Sequence, residues 1–80
     1  MKKYVSHKTV EAMKITDILG SVVGWEITGD GETTIVDSAW EFKHQPQVGG
    51  YLVRYADGYL SYSPAKAFEE GYTEYTEVAE

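Results

Sequence analysis

Gly50-Tyr51-Leu52-Val53-Arg54-Tyr55-Ala56-Asp57-Gly58-Tyr59-Leu60-Ser61-Tyr62-Ser63-Pro64-Ala65-Lys66-Ala67-Phe68-Glu69-Glu70-Gly71-Tyr72 is the stretch that decides the fold. Tyr51 to Tyr55 alternates, so a strand places Tyr51, Val53 and Tyr55 on one face and Leu52 with Arg54 on the other. Ala56-Asp57-Gly58 reads as a tight turn, because Gly accepts the left-handed backbone that such a turn requires. Tyr59 to Tyr62 returns as the second strand of a hairpin. Ser63-Pro64 then opens a helix over about 64–70, with Ser63 as the N-cap and Pro64 at the first helical position. Gly71 is suited to end it. Ala65 and Phe68, with Ala67 as a further candidate, face the sheet in this reading. Tyr72 to Thr76 alternates again as a last strand at an edge.

Outward from this unit, Gly49-Gly50 is the clearest break in the chain. Upstream, two β-rich runs flank Gly29-Asp30-Gly31. Ser21 to Thr28 and Glu32 to Val36 therefore read as a second hairpin. Trp25 and Ile27 share a face; either Thr34 with Val36 or Thr33 with Ile35 answers them. Asp37 or Ser38 caps a short helix through His44, and Gln45-Pro46 stops it. Near the N-terminus, Thr9 to Ile15 reads as a strand with Val10 and Ala12 on one side and Glu11 and Met13 on the other. Thr16 to Leu19 suits a turn or a single helical turn before Gly20. The expectation is one α+β domain spanning residues 1–80, a small antiparallel sheet of roughly four or five strands with one or two short helices.

The chain has 80 residues and no Cys, which excludes a disulfide framework and thiolate metal ligation. Two His are too few for a centre built mainly on imidazole, so no metal and no cofactor is expected. Aliphatic side chains are scarce and 7 residues are Tyr, so aromatic rings must share in the core. The net charge is −6. Lys2, Lys3, Lys8 and Lys14 crowd the N-terminus, whereas Glu69, Glu70, Glu74, Glu77 and Glu80 crowd the C-terminus. An acidic chain without a basic stripe is a poor partner for nucleic acid. No apolar run is long enough to cross a bilayer, and no signal-peptide core follows the first lysines, so the expected setting is the cytoplasm without a membrane.

The segments Gly50 to Tyr55, Asp57-Gly58-Tyr59, Ser61 to Pro64 and Phe68 to Tyr72 together resemble the C-terminal pattern of small bacteriophage and prophage proteins. Tyr4 to Ala12 resembles their N-termini, and Lys43 to Pro46 resembles one branch of them. The resemblance implies a phage or prophage origin and a bacterial host cytoplasm. It implies no activity.

No catalytic constellation emerges. Ser6-His7 are neighbours in sequence without an orienting group, and Ser63 is occupied by the helix start. Gly29-Asp30-Gly31 and Gly49-Gly50 lack the Lys-Ser/Thr of a phosphate loop. Six of the seven tyrosines lie in the last 30 residues, around Arg54, the one arginine. Tyr51, Tyr55 and Tyr72 read as core, and Trp25 and Trp40 likewise. Arg54 on the outer face, with Tyr59 or Tyr62 beside it, reads as a binding surface, since Tyr and Arg carry much of the energy at interfaces. Lys66 near the start of its helix is a further binding candidate. The function expected is a non-catalytic phage-type accessory protein that binds a host or phage protein, inhibition of a host defence or host enzyme being one form of it. The alternative is an oligomeric small-ligand or nucleotide-binding protein, with rings stacking a base. Self-association is compatible with either.

Overall fold

A computed structural model describes residues 1–6 and 8–74. The described strands are β1 (Lys2–Val5), β2 (Thr9–Lys14), β3 (Asp17–Ser21), β4 (Gly24–Gly29), β5 (Glu32–Val36), β6 (Tyr51–Arg54), β7 (Leu60–Ser63) and β8 (Thr73–Glu74). Two helices, α1 (Ser38–His44) and α2 (Ala65–Gly71), have 7 residues each. Neither is long or apolar enough to cross a membrane. All strand pairs are antiparallel: one sheet runs in the order β7-β6-β2-β1-β8 and the other β3-β4-β5. The expected α+β, antiparallel class is therefore what the molecule has, but the strands form two sheets where one was expected. Eight strands are described instead of four or five, Lys2–Val5 and Asp17–Ser21 among the additions.

Strand β2 lies inside the five-stranded sheet and is buried on both faces. Val10 and Ala12 join Tyr51, Val53 and Phe68 in one core, bordered by Tyr4, Tyr55, Ala65 and Tyr72. Met13 and Ile15 join Leu52, Ile27 and Val36 in a second core on the opposite side, bordered by Trp25, Trp40 and Tyr62. The alternation read for β2 and β6 is thus borne out, and α2 covers the Tyr51–Val53 face through Phe68. The face of Leu52, expected to be outer, is instead covered by the three-stranded sheet. Each Val, Leu, Ile, Met or Phe side chain so enclosed contributes roughly 1.5–3 kcal/mol.

The chain passes between the two sheets at Ile15-Thr16. The Ile15 amide donates to Gly50 O and the Gly49 amide to Ile15 O, both at 2.8 Å; the Thr16 amide donates to Thr28 O at 2.8 Å. One extended segment therefore changes partner, from the Gly49-Gly50 lead into β6 to β4, within a residue. The region expected as a turn at Thr16 to Leu19 is consequently strand β3, held in register by Asp17 opposite Thr28. Gly29 sits where the two sheets touch. A Cβ there would collide with the Lys14 carbonyl, so the crossing requires glycine.

Within the second sheet, Trp25 pairs with Val36 and Ile27 with Thr34, which settles the phase of that hairpin. Its first strand is shorter than expected. Val22 and Val23 form a turn between β3 and β4 rather than part of a strand.

The helix ends show local chemistry. Asp37, not Ser38, caps α1, its Oδ1 accepting from the Trp40 amide at 2.7 Å. Gln45 ends that helix in the left-handed region, φ 48°. Ser63 does not cap α2, because its backbone still pairs with Tyr51 in the β6–β7 ladder. Pro64 takes the N-cap position, and its carbonyl accepts from the Phe68 amide at 3.0 Å. Gly71 is the last helical residue, and Tyr72 caps it in extended conformation. The Tyr51 hydroxyl donates to Glu69 Oε2 at 2.7 Å, and Lys14 donates to the same oxygen at 3.3 Å. Burial, and then this bond to a carboxylate, push the Tyr51 hydroxyl pKa up. The bond from Tyr51, and then Lys14, pull that of Glu69 down.

Two stability outcomes are expected in denaturant titrations. Gly29→Ala destabilises by about 2–3 kcal/mol, because the clash is with backbone and neither sheet can yield alone. Tyr51→Phe keeps the ring packing and loses the hydroxyl bond, a loss of about 1 kcal/mol.

Candidate binding surface

The hairpin between β6 and β7 turns through Tyr55-Ala56-Asp57-Gly58-Tyr59. The Gly58 amide donates to Tyr55 O at 2.9 Å, the Tyr55 amide to Tyr59 O at 3.0 Å, and the Tyr59 amide to Asp57 Oδ1 at 2.9 Å. Asp57-Gly58 is therefore turn chemistry, as its sequence implied. The turn brings the Tyr55 and Tyr59 rings to 6.3 Å between centroids, 18° from parallel. Two lysines approach this pair from distant elements. Lys8 Nζ stands 5.3 Å from the Tyr55 ring centre. Lys43, from α1, stands 5.9 Å from the Tyr59 ring centre and donates to its hydroxyl at 3.3 Å. A shallow cleft of about 460 Å³ lies here, lined by Lys8, Thr9, Tyr55, Ala56, Asp57 and Tyr59. A second cleft, about 360 Å³, lies beyond the same turn and includes Lys3, Glu11 and Arg54.

Helix α1 fixes this surface to the sheet. Trp40 Nε1 donates to Leu60 O at 3.0 Å. His44 packs on Trp40 with centroids 4.5 Å apart and meets Tyr59 edge-on at 6.4 Å. His44 Nε2 is buried with no hydrogen-bond partner among the described residues. Burial, and then the neighbouring Lys43 charge, push the imidazole pKa below its usual value.

The residues singled out from sequence separate in space. Arg54 donates through Nε and Nη2 to Glu11 Oε1, both at 3.1 Å, across the β2–β6 register. It belongs to a row of alternating charge, Lys3–Glu11–Arg54, running across three strands. Its guanidinium is thus already matched by a carboxylate at a half-exposed position, where such a pair is worth about 0–1 kcal/mol. Tyr62 pairs with Leu52 and borders the second core, its ring lying against Gly50. Tyr59 is exposed and remains available to a partner. Lys66 is exposed on α2, and seven residues make too short a helix for an anion site at its start. Tyr55, Lys8, Lys43 and His44 complete the surface around Tyr59. No local motif announces them, because Lys8 and Lys43 come from strand and helix ends far along the chain. His7 and Tyr75 lie outside the described residues.

Among the described residues no three His, Asp or Glu side chains converge on a point where a metal could sit. The chemistry on offer is aromatic area edged by ammonium groups, which suits contact with another macromolecule.

Comparison with known proteins gives one informative likeness. No protein-family profile matches the chain, and no curated protein matches it in sequence. Among solved structures, the chain is similar to the monomeric form of the phage L decoration protein, determined in solution by NMR. The identity is 31%, the TM-score 0.64, and the match covers 81% of this chain. It covers 51% of that chain, so this protein corresponds to about half the length of its neighbour.

Burial of a neutral imidazole makes stability depend on pH in a defined direction. The folded state holds His44 with its pKa below the usual value of 6.5, so the unfolded chain binds the proton first as pH falls. Stability due to this group is complete above that value and declines as pH drops through it towards the folded pKa. Melting temperature measured from pH 7.5 to 5.5 is expected to fall in the wild type, with a visibly shallower fall in His44→Phe.

Proposed function

We propose that the chain is a non-catalytic accessory protein of a phage that binds a phage structural protein, the capsid of the head being the partner. The observation that carries this reading is the likeness to the phage L decoration protein, at 31% identity over most of this chain. The phage-type resemblance of the C-terminal segment agrees with it. The surface around Tyr59 supports a binding role: an exposed ring, flanked by Lys8 and Lys43 and backed by His44 and Trp40, is held rigidly before any partner arrives. Arg54, Tyr62 and Lys66 take lesser parts. Arg54 ties β6 to β2 through Glu11, Tyr62 supports the hairpin from the core side, and Lys66 adds charge on α2.

The host-directed form of the reading, an inhibitor of a defence system or host enzyme, rests on phage origin alone. The nucleotide-binding alternative has one specific obstacle: Tyr55 and Tyr59 stand 6.3 Å apart and stack on each other. A base sandwiched between them would need about 7 Å, twice the carbon contact distance.

The direct test is co-sedimentation with purified heads of the phage or prophage whose genome encodes the chain. Saturable pelleting with the heads is expected, weakened by Tyr59→Ala. A chain that stays in the supernatant at every concentration contradicts the reading.

A further inference from the structure

The three-stranded sheet has two hairpin tips, and they differ in kind. Between β4 and β5, Asp30 and Gly31 adopt φ 50° and 75°. Both central residues being left-handed makes a turn whose twist matches the strands, and Asp-Gly is among the best pairs for it. That tip is explained by folding. Between β3 and β4, Ser21 pairs with Gly24, and the two residues between them are Val22 and Val23. Neither valine is left-handed. β-Branched apolar residues are poor turn formers, and the turn is held by its flanks instead. Ser21 Oγ accepts from the Val23 amide and donates to Gly24 O, both at 3.3 Å, and Gly24 absorbs the geometry at φ 140°.

The valine side chains take no part in the fold. Val22 is fully exposed and Val23 is 67% exposed. Two further exposed apolar side chains lie on the outer face of the same sheet: Leu19 and Ile35, both more than half exposed, on either side of Glu26 in register. Sites where sequence breaks local rules without a packing return are where function is expected. Two adjacent apolar side chains exposed together at a tip, with no packing role, point to a partner.

Charge selects the kind of partner. From Ile15 to Phe42 the chain has no Lys, Arg or His. Asp17, Asp30 and Glu32 stand at the opposite end of the sheet, Glu32 paired with the Met1 amino group, whereas Asp37 backs onto Gly24 at the valine end and Glu26 lies two residues along β4 from it. An anionic lipid surface or a phosphate backbone would be repelled by this sheet. A projecting apolar tip in an acidic setting fits an apolar pocket edged by basic side chains on a protein.

We infer that the Val22-Val23 tip is the anchor of the chain on its partner, inserting into an apolar, basic-rimmed pocket of the phage capsid protein. The inference rests on the capsid-binding reading and adds the contact point and the partner's surface chemistry. Since the valines are outside the core, removing them separates binding from folding.

The test compares wild type, Val22→Ser/Val23→Ser, and Val22→Ile in pelleting with the same purified heads, alongside melting temperature and sedimentation velocity of the free proteins. The double serine variant is expected to melt within a few degrees of wild type and to bind at least about tenfold more weakly, as loss of a central anchor does. Val22→Ile is expected to bind like wild type. Retained affinity in the double serine variant, with wild type binding normally, overturns the inference and leaves the capsid reading standing. Wild type that fails to pellet overturns both. A double serine variant that loses only self-association in sedimentation velocity makes the tip a contact between copies of this chain, which also overturns it.

Discussion

Burial of β2 on both faces is the constraint from which the rest of the structure follows. Ala12 and Met13 are adjacent, point to opposite sides of the strand, and are both fully buried. Two coverings are therefore required. The sequence supplies one from its C-terminal third, through Phe68 on α2, and the other from its middle, through Ile27 and Val36. The extended run through Ile15 and Thr16 joins them, because its backbone bonds Gly49-Gly50, just before β6, on one residue and β4 on the next. With so few aliphatic side chains, sharing one strand between two cores lets a small domain enclose both sides of a sheet. Without it, each half would be a sheet with one wet face, and isolated small sheets are marginal.

This architecture also determines which groups are free to meet a partner. The aromatic excess is divided by it. Tyr4, Tyr51 and Tyr72 ring Phe68, with centroid distances of 4.8, 4.2 and 4.6 Å. They are building material. Tyr59 lies beyond the end of β6 and β7, where neither core reaches, and is left at the surface with lysines around it. The second sheet has its own unsupported end at Val22-Val23. The two turns draw on opposite chemistries: one is aromatic and edged by cations, the other aliphatic in an acidic surround. A partner bound through both would need acidic groups facing Tyr59 and basic groups facing the valines, which gives orientation as well as affinity.

What was legible in the sequence follows physical range. The Tyr51–Val53 alternation, the Asp57-Gly58 and Asp30-Gly31 turns and the short helix after Val36 are set by neighbours a few residues apart, and each is found where the pattern put it. The covering of Leu52 is set by Met13, Ile15, Ile27 and Val36, all from distant segments, and so the face of Arg54 was expected to be open when most of it is core. Tyr59 and Tyr62 illustrate the limit most sharply. They are three residues apart and alike in type. Register opposite Leu52, with contact against Gly50, draws Tyr62 inward, while the turn leaves Tyr59 out. Val22-Val23 misled for the opposite reason: high strand propensity was overridden by the Ser21 and Gly24 that flank it.

Native-state hydrogen exchange at the sheet crossing tests the shared-strand account most directly. If β2 unites both cores, the Ile15 and Thr16 amides exchange only through global unfolding. Their exchange free energies then equal each other and the value from denaturant melts, although one bonds to β6–side backbone and the other to β4. An exchange free energy for Thr16 and the β4 amides well below that of Ile15 would mean that the three-stranded sheet opens by itself, and would contradict the account.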